Sequence, residues 1–143
     1  MDDLTREGAT SRYLLDTNIC VYVINLRPPH VFEHFRAVEA GNLMISSITG
    51  AELEYGVAKS GSARNHQALE KFLAPLEVAP FDDAAMRRYG RVRAMLEQRG
   101  TPIGPMDTLI AAHALALGCV LVTNNVREFA RVPGLVLENW AEG

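Results

Sequence analysis

The chain has 143 residues, 48% of them hydrophobic, which is enough for one domain with a genuine core and too few for two of ordinary size. With 14 basic against 17 acidic side chains the net charge is −3, so the molecule as a whole does not draw in polyanions from a distance, and a nucleic-acid partner must be held by a local patch or through metal ions. The opening MDDLTREGATSR has no apolar core, which excludes a secretory signal, and no run approaches the roughly 20 apolar residues that span a bilayer.

A flexible N-terminal tail over 1–12 and one domain over 13–140, cytoplasmic and with no membrane partner, are therefore expected. RYLLD (12–16) is a short apolar run closed by an acid and reads as a buried strand. TNICVYVIN follows as a helix to about Ile24, with Thr17 as a candidate N-cap, until RPP breaks it. Pro29 suits the first turn of a second helix that carries Val31, Phe32, Phe35 and Val38 on one face and ends at Gly41. LMIS (43–46) is a second buried strand, and Ser46 or Ser47 caps a helix of about 48–59.

SARNHQALEKFL repeats the helical period, with Leu69, Phe72, Leu73 and Leu76 on one side. LEVAPF (76–81) is a third strand candidate. Asp82 or Asp83 then caps a helix to about Arg99, striped by Ala85, Tyr89, Val92 and Leu96. After a loop rich in Gly and Pro, Pro105 opens a small-residue helix to 117 that should be buried; Gly118 stops it. CVLVT (119–123) is a fourth strand and GLVLEN (134–139) a fifth. Strands alternating with helices predict an α/β, three-layer α/β/α fold with a mostly parallel sheet of four to five strands. Cys20 and Cys119 lie far apart inside apolar segments and read as buried small hydrophobes.

In such sheets the ligand crevice lies beyond the carboxyl ends of the strands, where Asp16 and the Thr123-Asn124-Asn125 run sit. Asp16 closes an apolar strand and needs donors or a cation to offset its desolvation, unless it simply caps the next helix. Asp107 falls in a first helical turn, where the helix dipole favours a carboxylate by roughly 0.3–1 kcal/mol. Glu52 stands on an otherwise small and apolar helix, but Glu54 is its rival and periodicity does not choose between them. Carboxylates gathered from distant segments repel one another unless a hard divalent cation lies between them, and oxygen-rich sites suit Mg²⁺ or Mn²⁺.

Four segments in series, LLDTNIC, ISSITGAELEYG, GTPIGPMDTLIAAHAL and LVTNNVREFARVPGLVLENW, resemble the PIN-domain ribonuclease toxins of the VapC type from about Tyr13 to Trp140. The resemblance implies a PIN-like parallel sheet between helices and a metal-binding, catalytic centre of Asp16, Glu52 and Asp107; it is the resemblance that selects Glu52 over Glu54. Many relatives carry a fourth acid where this chain has Asn125. An amide oxygen can still ligate a cation or bind its water, but it adds no charge. Thr123 and Asn18 are expected to orient the carboxylates, and Glu128 to be a solvated acid at a helix start.

The resemblance further implies an endoribonuclease using Mg²⁺, or Mn²⁺, that leaves a 3′-hydroxyl and a 5′-phosphate and inhibits translation by cutting structured RNA, with a tRNA anticodon loop the preferred target. It implies a VapB-type antitoxin, binding of operator DNA only through the antitoxin complex, and a homodimer. Arg87 and Arg91, with Arg88 and Arg93 beside them, are candidate phosphate contacts, although arginines late in a helix also complement its dipole. His113, among alanines, reads as a core or subunit-contact residue. A haloacid-dehalogenase phosphatase would need an acid at Asn18, and a receiver domain a lysine at a strand end, so neither fits. The remaining competitor is a degenerate PIN module that binds RNA or a partner protein without cleaving.

Overall fold

The computed structural model of the chain describes residues 11–142. Most of the expected tail over 1–12 therefore lies outside the described residues; of its last two positions, Arg12 already accepts a sheet hydrogen bond from the Val120 N–H at 3.0 Å. Strands β1 (Tyr13–Leu15), β2 (Leu43–Ser46), β3 (Glu77–Ala79), β4 (Val120–Val122) and β5 (Leu137–Glu138) form one sheet in the order β3-β2-β1-β4-β5, and every neighbouring pair is parallel. Seven α-helices connect or follow them among the described residues: α1 (Thr17–Asn25), α2 (Pro29–Ala37), α3 (Ser47–Ser60), α4 (Ala63–Leu73), α5 (Asp83–Gln98), α6 (Pro105–Leu117) and α7 (Val126–Phe129).

β1, β2 and β4 are three or four residues of mostly apolar run, and their neighbouring side chains go to opposite faces. Leu14, Met44 and Leu121 enter one core cluster with Val92, Leu96, Ile110 and Phe129, so α5, α6 and α7 cover that face. Leu15, Ile45 and Val122 enter the other with Ile19, Val31, Leu53, Leu69 and Phe72, which puts α1 to α4 on the opposite side. Trp140 closes this second cluster, stacked on His34 at 5.5 Å and tilted against Tyr13 at 5.7 Å. Each such large apolar side chain, fully buried, stabilises the fold by about 1.5–3 kcal/mol. The two cysteines are buried and free, one in each cluster.

Several boundaries differ from expectation. The helix begun at Pro29 ends at Ala37, not Gly41, because the chain turns extended at Val38 and Ala40–Asn42 forms a separate 3₁₀ turn. The fifth strand is only Leu137–Glu138, paired with β4 alone. Ser46 and Asp82 are the caps of α3 and α5, accepting from the Ile48 and Ala85 N–H groups at 3.0 and 3.1 Å. Gly118, at φ 66°, terminates α6 in the left-handed region that an alanine disfavours. No helix among the described residues is long and apolar enough to cross a membrane.

The sheet order reverses at β1: β2 and β3 were added on one side, β4 and β5 on the other. The carboxyl ends of β1 and β4 therefore flank the point where helices leave for opposite faces, and a crevice opens there.

Candidate active site

Asp16 follows β1 directly. Its N–H bonds the Val122 carbonyl at 3.0 Å, which stitches the ends of β1 and β4 together, and its carboxylate accepts from the Ile19 N–H at 3.0 Å. It is thus the N-cap of α1, a position expected for Thr17. A cap can be exposed, but this one is only 6% exposed. Burial raises its pKa above the ordinary carboxylate value; the Thr123 hydroxyl and the backbone N–H groups of Ile19 and Asn18 oppose that shift, and the Glu52 charge adds to it.

Thr17, relieved of capping, is the first residue of α1 and donates from its hydroxyl to Glu52 Oε1 at 2.5 Å. Glu52 is half-buried on α3, whereas Glu54 is exposed. The separation follows from helical geometry, since residues two apart point to different faces. Asp107 stands in the first turn of α6, also half-buried. The helix dipole there favours ionisation, yet its pKa is pushed up to about 7. Burial is the main cause, followed by a hydrogen bond shared with Glu128 and the negative charges of Glu128, Asp16 and Glu52.

Glu128 is therefore not the solvated helix-start acid expected of it. The single turn of α7 brings its half-buried carboxyl to Asp107. Asn125 explains how it is held: its N–H bonds Thr123 Oγ1 at 2.9 Å, and its side-chain amide donates to Glu128 Oε1 at 3.0 Å. A carboxylate at 125 would face Glu128 with like charge, so the amide and the acid three residues on belong together. Asn124 ties the same strand end to α1, donating to the Tyr22 hydroxyl at 2.8 Å.

Four carboxyls from four segments thus act on one another, and none of the ion pairs among the described residues involves any of them. Such a group costs free energy until a cation joins it. Its donors are all hard oxygens, which fit Mg²⁺ or Mn²⁺ and not a soft metal. Among the described residues, no three acidic, histidine or cysteine side chains are already drawn round one point at ligand spacing. Glu52 is turned to Thr17 and Glu128 to Asn125, each by one hydrogen bond.

The remaining expected residues are placed as follows. Thr123 is fully buried and faces Asp16. Asn18 serves Asp16 through its backbone, and its side chain is exposed. Arg87 and Arg91 are exposed on α5, which packs on the face of the sheet opposite α1 to α4. No contact brings them to the acids. Arg93 bonds Glu97 and Tyr89 on its own helix at 3.0 Å each.

His113 is a core residue, 1% exposed. Its Nδ1 pairs with Ser46 Oγ at 2.8 Å, the Phe81 ring meets it edge-on at 5.3 Å, and Nε2 has no hydrogen-bond partner among the described residues. Burial lowers its pKa, against the opposing Asp82 charge and Pro80 carbonyl. The unfolded chain then takes up this proton more readily than the folded one, so the neutral ring's contribution is present above the unfolded value of about 6.5 and is lost progressively as pH falls from there through the lowered folded value. Between about pH 8 and about pH 5 the thermal midpoint of the wild type should drop further than that of His113→Gln. Matching curves would remove His113 as an acid-sensitive group.

The family model described as PIN domain matches residues 13–135. Ribonuclease VapC2 of Rickettsia felis is 48% identical over 130 residues, spanning 90% of this chain and 97% of the relative. The tRNA(fMet)-specific endonuclease VapC of Salmonella typhimurium is 45% identical, over 90% of this chain and 98% of its own. Among solved structures, DNA-bound VapBC from Salmonella typhimurium superposes with a TM-score of 0.84 at 43% identity, over 92% of this chain and 99% of that one. VapBC2 from Rickettsia felis, bound to a DNA fragment from their promoter, gives 0.82 at 46% identity over 90% and 98%. With the acids of this family's motifs gathered at the switch point of a parallel sheet, and with relatives this close over nearly their whole length, the chain belongs to the PIN-domain family, in its VapC branch.

Proposed function

We propose that the chain is the toxin of a toxin–antitoxin module and acts as a Mg²⁺-dependent endoribonuclease that cuts a tRNA in its anticodon loop and so inhibits translation in the cytoplasm. One observation carries the metal-dependent nuclease reading: the carboxyls of Asp16, Glu52, Asp107 and Glu128 act on one another at the strand ends, and no ion pair among the described residues neutralises any of them. The choice of tRNA is supported by the relative named a tRNA(fMet)-specific endonuclease, at 45% identity. A single-stranded loop is the natural target, because its bases splay out where a small protein can reach them.

Asp16, Glu52, Asp107 and Glu128 would hold the cation. When bound, it neutralises charge on the scissile phosphate and makes water nucleophilic at neutral pH. The chain's own residues supply orientation. Thr123 and the Ile19 N–H fix the Asp16 carboxylate, Thr17 fixes Glu52, and Asn125 fixes Glu128. The Val122–Asp16 backbone bond holds the floor of the site rigid. A VapB-type antitoxin is the expected partner, with operator DNA bound only through the complex and with the toxin as a homodimer; VapBC relatives solved with DNA support the first two. A module that binds RNA without cleaving it loses its main argument once Glu128 stands in for the acid missing at 125.

Purified chain is incubated with total tRNA and Mg²⁺, with and without EDTA, and the cut ends are mapped. The expected result is a dominant cut in one anticodon loop, bearing a 3′-hydroxyl and a 5′-phosphate, absent in EDTA and restored by excess Mg²⁺. Retention of tRNA in EDTA with no cleavage in Mg²⁺ or Mn²⁺ would establish the binding module instead.

A further inference from the structure

We infer that the groove between α1, α3 and α4 is a nucleotide subsite for the RNA strand next to the scissile phosphate, in which the Arg64 guanidinium takes a neighbouring phosphate. The inference rests on the ribonuclease reading and names where its substrate lies.

The groove has a volume of about 690 Å³, and Glu52 of the acidic centre and its hydrogen-bond partner Thr17 are among the residues that line it. Arg64 and Asn65, in the first turn of α4, line it too. A cation in a first turn opposes the helix dipole, so Arg64 does not stand there for the helix's benefit. It is exposed, and none of the ion pairs among the described residues involves it. Backbone N–H groups at the same helix end favour an anion, and a guanidinium matches a phosphate through paired donors.

Gly56 is a second, independent pointer. It lies inside α3, where glycine costs roughly 0.5–1 kcal/mol relative to alanine, and it lines the groove. A Cβ built on it would meet nothing within 4 Å. Packing among the described residues therefore gives no reason for glycine; a longer side chain would intrude on the open groove. The amides of Asn25 and Asn65 offer donors and acceptors for base edges, beside apolar wall contributed by Val21 and Leu53.

The sequence of charges along the groove favours a nucleic-acid strand. Glu52 and the other acids would hold the cation that receives one phosphate, and Arg64, lining the same groove, would take the next. A peptide basic enough to neutralise the acids would meet Arg64 with like charge. Arg87 and Arg91 lie on the other face of the sheet and do not reach this path.

The test is cleavage and binding of tRNA by Arg64→Ala, Arg64→Lys and Gly56→Leu in the full chain. Arg64→Ala should raise KM about ten-fold, with kcat and the Mg²⁺ requirement held within about two-fold, and Arg64→Lys should recover part of the loss. The slope of log affinity against log salt should fall by about 0.7, the value for one phosphate contact on a single strand. Gly56→Leu should raise KM with no loss of thermal stability. Unchanged KM and salt slope in Arg64→Ala would overturn the subsite, as would an effect confined to capture of the antitoxin. If the wild type binds tRNA without cutting it, the ribonuclease reading fails, and the Arg64→Ala affinity and salt slope still decide the subsite.

Discussion

Asp16→Asn is expected to leave the chain folded and to slow RNA cleavage by about a hundred- to a thousand-fold or more, with loss of growth arrest on expression. The two halves of this expectation have separate causes. Asparagine is as good an N-cap as aspartate, so the bond to the Ile19 N–H that starts α1 survives. Charge does not survive, and the proposed cation, worth several kcal/mol to the transition state, would lose the most buried of its proposed ligands, at a factor of ten for each 1.36 kcal/mol. Burial already holds the Asp16 pKa above its ordinary value, so removing the charge should leave the thermal midpoint unchanged or higher. Cleavage rate and thermal unfolding of the same preparation check both halves. Full activity in a folded variant would refute the site.

Glu128→Gln should raise the Mg²⁺ concentration for half-maximal cleavage by about ten- to a hundred-fold, the range typical of a disturbed metal environment. Glutamine keeps the length of the side chain and its contact with Asn125, but it removes the negative charge that Asp107 feels most strongly. Asn125→Asp alone should also weaken Mg²⁺ use, because the new carboxylate faces Glu128 and releases it. In the double variant the acid returns at 125 with a neutral partner at 128, and part of the Mg²⁺ affinity should come back. Simple addition of the two losses in the double variant would mean that 125 and 128 do not share the role of fourth acid.

Capping devices show how local information and tertiary information divide. The caps of α3 and α5 were legible to within one residue, Ser46 or Ser47 and Asp82 or Asp83, because a polar residue at the head of an apolar period is a short-range pattern, and the structure chose Ser46 and Asp82. Asp16 carried the same pattern and a second role that the pattern does not reveal. Whether a cap is also a ligand depends on what lies opposite, here Thr123 on β4 and Glu52 on α3. Glu52 and Glu54 were inseparable by period in a helix with few large apolar residues, and family resemblance chose between them. Burial then gave the physical reason, since only the face of α3 turned to Thr17 is covered.

The sequence by itself determined the order of strands and helices along the chain and the apolar faces that sandwich the sheet, because periodicity, caps and breakers act over a few residues; the three acids of the motifs came from family resemblance, since period alone left Glu52 and Glu54 open. Only the tertiary structure decided that Glu128 supplies the fourth carboxyl, that Arg87 and Arg91 stand away from the acids while Arg64 lines their groove, and that Asn125 holds an acid in place of being one. A charged side chain on a short turn looks solvated in one dimension. Its neighbours come from strands and helices dozens of residues away, brought together by the reversal of strand order at β1.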